Sequence, residues 1–121
     1  MKYITITDVT SKIIEIREMK VLLDSDVASF YGVETHKIKQ SAKNNPAKFP
    51  ENYIITLTAS EVEDLRSKNL IAGSRKSGVM PKAFTEKGLY MLATILRSPQ
   101  ATLTTLVIVE TFAKIREEGS K

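Results

Sequence analysis

The stretch from Leu23 to Pro50, LDSDVASFYGVETHKIKQSAKNNPAKFP, constrains the fold more than any other part of the chain. It reads as two short helices joined at Tyr31-Gly32-Val33. Asp24 or Ser25 is placed to cap the first, because a short oxygen side chain accepts from the orphan amides of a first turn. Asp26 follows, where the positive end of the helix dipole favours an anion. Val27, Ala28 and Tyr31 fall on one apolar face with Phe30 beside them. Gly32 takes the left-handed conformation at little cost and so stops the helix. Thr35 or Glu34 opens a second helix that runs to about Asn44, and Asn44-Asn45-Pro46 breaks it. The inner face of this helix is Ile38, Ser41 and Ala42. Its outer face is Thr35, His36, Lys37, Lys39, Gln40 and Lys43.

The spacing says more than the helices do. A helix-turn-helix needs a small residue where its helices cross, a glycine in the turn and a branched apolar residue to lock the second helix. Ala28, Gly32 and Ile38 supply these in register. The second helix of such a pair lies in the major groove and presents its outward side chains to base edges. Here those side chains are amide, hydroxyl and ammonium groups, with no carboxylate after Glu34. They suit an anionic partner.

Charge along the chain points the same way. Net charge is only +4, but the bases are segregated. Thr35 to Lys48 holds Lys37, Lys39, Lys43 and Lys48 with no acid, and Arg66 to Lys82 holds Arg66, Lys68, Arg75, Lys76 and Lys82 with no acid. The remainder is net acidic, so the folded chain is expected to carry a basic face that attracts phosphate backbones. A solvated lysine-rich surface is the plain alternative. At 121 residues the chain is expected to form one domain, 1–121, with a loose segment at 1–12 and a loose tail at 118–121.

Reactive chemistry is sparse. There is no cysteine, and His36 is the one histidine, on the outer face of the second helix. Neither a nucleophile–base pair nor a Cys/His zinc cluster assembles from that, and an enzyme is not expected. Gly73 to Gly78 (GSRKSG) superficially suggests a phosphate loop, but Val79-Met80 follows where a P-loop requires Lys and Ser or Thr. Asp24 and Asp26 as a metal pair are explained more simply by helix capping. No cofactor is expected. No apolar run is long enough to span a membrane, and MKYITITDVTSK lacks the apolar core of a signal peptide, which implies a cytoplasmic location.

Around the helix pair, the remaining elements read as α+β. Tyr3 to Thr7 is a short strand. Ile13 to Arg17 and Lys20 to Leu23 form a β-hairpin around Glu18-Met19, without the Asn-Gly or Asp-Gly turn that marks such hairpins. Tyr53 to Leu57 is a strand, and Thr58-Ala59-Ser60-Glu61 is a capping box opening a helix to about Asn69. Leu70 to Met80 is a cationic loop. Val79 to Phe84 is a strand that Pro81 assigns to a sheet edge. Thr85 caps a helix carrying Leu89, Leu92, Ala93 and Leu96, and Ser98-Pro99 starts the last one, Gln100 to about Glu117. The apolar load of that helix, with Leu103, Leu106, Val107, Ile108, Phe112 and Ile115, leaves packing and a homodimer interface both open.

Leu23 to Thr35 resembles the opening of the KilA-N-related amino-terminal DNA-binding domain of phage, prophage and mobile-element proteins. The likeness continues through Phe49-Pro50-Glu51-Asn52-Tyr53, Leu57-Thr58 and Leu65-Arg66-Ser67. It peaks at Pro81 to Leu92, PKAFTEKGLYML, similar to that family's Pro-x-Ala-Phe-Thr-Glu-x-Gly signature. Coverage runs from about Ile13 to Glu117. Lys82 stands where many relatives carry an aromatic residue. The resemblance implies a double-stranded DNA-binding module of an antirepressor-like transcriptional regulator, as a stand-alone binder or part of a longer protein. Physical reading supplies the contacts: Thr35, His36, Lys37, Lys39, Gln40 and Lys43 face the groove. Gln40 is the best base reader, because an amide pairs bidentately with adenine. Arg75 and Lys76 are expected to reach the backbone or minor groove like a wing, flanked by Lys68 and Lys82. The rival is a protein-interaction module docking a regulator through its basic face or apolar last helix. An RNA binder would need exposed stacking aromatics, and most of the four Phe and four Tyr sit in apolar patterns.

Overall fold

A two-residue reversal at Arg17-Glu18 sets the first strand pair. The structure, a computed structural model, describes residues 4–71 and 80–119. In it β1 (Ile14–Ile16) and β2 (Met19–Leu23) pair antiparallel with Ile16 opposite Met19. Arg17 and Glu18 both take positive φ, +53° and +67°, as a two-residue hairpin loop demands. The reversal therefore falls one residue earlier than the expected Glu18-Met19. Hydrophobic pattern decides it: this register puts Ile16, Val21 and Leu23 on one face, and a slip by one residue would turn all three around.

The N-terminal segment is a helix where a strand was expected. Thr5 accepts from the Asp8 amide at 3.1 Å and donates its own amide to the Asp8 carboxylate at 2.8 Å, closing a capping box on α1 (Ile6–Thr10). Val9 of this helix is wholly buried, and α1 packs on the last helix. Alternating polar and apolar residues over so few positions fit either period, and the local cap wins.

β2 runs without a loop into α2 (Asp24–Tyr31), so Leu23, a core residue, occupies the N-cap position and makes no side-chain cap bond. Neither Asp24 nor Ser25 caps the helix. Asp24 is left free to reach elsewhere, as described below. α2 ends at Gly32, with φ +70° and ψ 32°; the Val33 amide donates back to Ala28 O at 3.0 Å and the Gly32 amide to Ser29 O at 3.2 Å. That double bond pattern is a Schellman close. α3 (Thr35–Lys43) follows and packs on α2, with Ala28 and Ile38 buried at the contact.

A 3-10 turn at Pro46–Lys48 leads to β3 (Ile54–Thr56), and the Thr58 capping box starts α4 (Ala59–Ser67). β4 (Lys82–Thr85) lies between β2 and β3 in the order β1-β2-β4-β3, all antiparallel. It is an interior strand, contrary to the edge placement expected from Pro81. The proline precedes the first ladder position, so its missing N–H breaks nothing, and its carbonyl accepts from the Leu57 amide at 3.1 Å. Val79, at the expected start of this strand, and the loop residues 72–79 lie outside the described residues.

The sheet has two covered faces. Leu22 and Phe84 point to a layer of α1, α2, α3, α5 (Glu86–Ala93) and α6 (Pro99–Gly119); Val21, Leu23, Ile55 and Ala83 point to α4. Thr85 caps α5 by accepting from the Gly88 amide at 3.3 Å, and its hydroxyl also bonds Asn52 O at 2.8 Å. Gly88 is needed there for space: a Cβ would stand 2.0 Å from Tyr53 O. The Pro-x-Ala-Phe-Thr-Glu-x-Gly stretch is thus a joint that seats α5 on β3. Ser98 caps α6 through the Ala101 amide at 3.0 Å. Among the described residues no helix is long and apolar enough to cross a membrane.

Candidate functional site

α3 is held by its inner face and left open on its outer one. Ile38 is fully buried and Ala42 packs beside it, while His36, Lys37, Gln40 and Lys43 are exposed and Thr35 is half-buried. Beyond α3, Phe49 anchors the returning chain by an edge-to-face contact with Phe84, ring centroids 6.2 Å apart. That anchor brings β3 and β4 alongside the helix. Between them lies a concave groove of about 740 Å³, walled by His36, Lys39, Gln40 and Lys43 on one side and by Thr56 and Lys82 on the other.

Strand parity explains the second wall. Lys82 and Phe84 share a face of β4, as Ile54 and Thr56 do on β3, so both polar side chains emerge on the helix side of the sheet. The Lys82 ammonium donates to Thr56 Oγ1 at 3.0 Å, which holds a positive charge at the groove rim. Lys48 donates to Thr94 Oγ1 at 2.8 Å and so ties the 3-10 turn to the end of α5.

Lys39 departs from expectation. Its ammonium turns inward to Asp24 Oδ2, at 3.4 Å, and only about a fifth of its side chain is exposed. The same carboxylate oxygen accepts the backbone amide of Lys82 at 3.0 Å. Asp24 has no exposure at all, and its Oδ1 has no hydrogen-bond partner. His36 faces outward as read, with Nδ1 3.2 Å from Glu34 Oε2 and both side chains open to solvent.

Of the ten residues singled out from the sequence, the fold gathers His36, Lys39, Gln40, Lys43 and Lys82 around one groove. Thr35 and Lys37 are on the same helix. Lys68 is elsewhere: it stands at the end of α4, on the other face of the sheet, paired with Asp64 at 3.0 Å. Arg75 and Lys76 lie outside the described residues. Sequence reasoning missed Thr56, whose role follows only from strand register, and it misread Asp24 as a cap.

A second charged locus sits on that other face. Arg17 forks onto Glu61 with two bonds of 2.9 Å, and Glu61 also accepts the Thr58 amide at 2.9 Å. The guanidinium, then the Thr58 amide, hold the Glu61 carboxyl down to a pKa of about 2. Its charges satisfy each other, which gives this locus the character of a brace. α6 presents two exposed leucines, Leu103 and Leu106, 47% and 54% accessible.

A family model described as the ORF6N domain matches residues 11–95. No curated protein and no solved structure matches the chain.

Proposed function

This chain belongs to the ORF6N domain family, and on that premise we propose that it is a double-stranded DNA-binding module of a phage-type transcriptional regulator or antirepressor. Kinship with KilA-N-related domains, argued from the motifs, is part of the same reading. One observation carries it: a helix seated by its apolar face beside the sheet turns His36, Gln40 and Lys43 into a groove whose far wall bears Lys82. In this reading α3 enters the major groove. Gln40 pairs with a base edge, and Lys37, Lys43 and Lys82 meet phosphates. Release of condensed counterions supplies most of the sequence-independent affinity.

Fluorescence-anisotropy titration of a short random-sequence duplex across salt concentrations tests this. Binding that weakens steeply with salt is the expected result, with Lys43→Ala lowering the logarithmic salt slope by about one and Gln40→Ala changing sequence preference. Absence of binding at low salt would overturn it. The exposed Leu103 and Leu106 favour a second reading, a module that docks a protein partner or a second copy through α6. That reading requires capture insensitive to salt and no shift of DNA.

A further inference from the structure

Asp24 is the one fully buried acidic side chain among the described residues, and helix capping does not account for it. Its position at the first turn of α2 is where β2, α2, α3 and β4 converge. Through a single oxygen it takes the Lys39 ammonium of α3 and the Lys82 amide of β4, the two elements that form the walls of the groove. A carboxylate withdrawn from water is costly unless it is paired, and removing one partner is strongly unfavourable. Lys39 therefore stays with Asp24 when an anion approaches: a phosphate outside would have to outbid a buried charge already in contact.

We propose that Asp24 is a positioning residue of the groove, which draws Lys39 inward, fixes α3 against β4 and removes one positive charge from the DNA-facing surface. This rests on the DNA-binding reading and deepens it. Lys39 lines the groove, yet it is not a phosphate contact. Among the described residues, the cations left for phosphate along these two walls are those of Lys43 and Lys82, with Lys37 beside them. A groove with one fewer free ammonium holds non-specific DNA less tightly, so a larger share of discrimination falls to side chains such as Gln40.

Asp24→Asn separates the claim from simple scaffolding, because the amide oxygen still accepts the Lys82 amide while the charge is gone. The expected result is a freed Lys39: the logarithmic salt slope for random duplex rises by about one, affinity for random sequence rises severalfold, and discrimination between sequences falls. The double variant Asp24→Asn/Lys39→Met should return the slope to the wild-type value, since a neutral pair replaces a neutralised one. An Asp24→Asn slope equal to wild type would show that Asp24 withholds no phosphate contact, a double-variant slope one unit below wild type would show that Lys39 already makes one, and either would overturn the proposal. Should the wild-type chain bind no DNA, the functional reading fails by itself. The latch is then read by amide exchange in α3, where about tenfold faster exchange in Asp24→Asn supports it and unchanged exchange overturns it.

Discussion

Asp24 and Glu61 each hold a basic side chain from another element, one on either side of the sheet, and the two pairs differ mainly in burial. Glu61 is about a fifth exposed and its partner Arg17 nearly half, and the geometry is a bidentate fork reinforced by a capping amide. Asp24 has no exposure, a single 3.4 Å contact to Lys39 and one oxygen without a partner. By hydrogen-bond count the Glu61 pair is the better made. Dielectric reverses the order of their consequences: an exposed pair contributes little net, while a buried acid depends on every partner it has. The brace on the α4 side fixes the hairpin. The pair on the α3 side shapes a groove.

The strongest test of that contrast is to delete the cation from each pair. Lys39→Met leaves a buried carboxylate without its ammonium and is expected to destabilise by about 3 kcal/mol in urea denaturation. Arg17→Met, which removes a solvent-exposed partner, is expected to lose distinctly less. Equal losses would remove burial as the deciding variable.

The same opposition of enclosed against open recurs at two glycines. At Gly88 an added methyl meets the Tyr53 carbonyl, so Gly88→Ala is expected to lower stability by about 2 to 3 kcal/mol. At Gly32 the space is empty and only the left-handed backbone resists; Gly32→Ala is expected to lose about 1 kcal/mol. Thermal melts followed by circular dichroism rank the two, and the reverse ranking would mean that α5 shifts off β3 at little cost.

The smallest effect is in acid. Because the Glu61 carboxyl is held near 2, below its ordinary value of 4.5, its stabilising share is complete above about 4.5 and fades as pH falls toward 2. Glu61→Gln lacks that share, so between those limits its melting temperature should decline less steeply than that of the wild type. Parallel declines would show that Arg17 and Glu61 do not couple in solution.

Much of this architecture was legible because it is local. The spacing of Ala28, Gly32 and Ile38, the Thr58 capping box and the Ser98-Pro99 start each depend on residues within a few positions, and the structure places them as read. One failure was local as well, the Thr5–Asp8 capping box that makes α1 a helix where alternation suggested a strand; the others depend on distant partners. Arg17-Glu18 carries no turn signature, so the hairpin register emerges only when Val21 and Leu23 meet α4 and β4. Pro81 looked like an edge marker because the sequence does not say that pairing begins at Lys82. Lys39 sits on the outer helical face by periodicity, yet a four-carbon stem lets its charge bend back to an acid fifteen positions earlier. The groove was half visible: its α3 wall followed from helical spacing, whereas Thr56 and the orientation of Lys82 required the strand register.

In the proposed DNA-binding reading, the α3 groove, and neither α4 nor α6, is the surface that meets the duplex. Amide chemical-shift mapping of the isotope-labelled chain during titration with duplex tests it most directly. Perturbations are expected to concentrate on α3 and to extend to Thr56 and Lys82, with Lys68 and the exposed leucines of α6 unmoved. Perturbations centred on Leu103 and Leu106, or on α4 around Lys68, with α3 silent would contradict it.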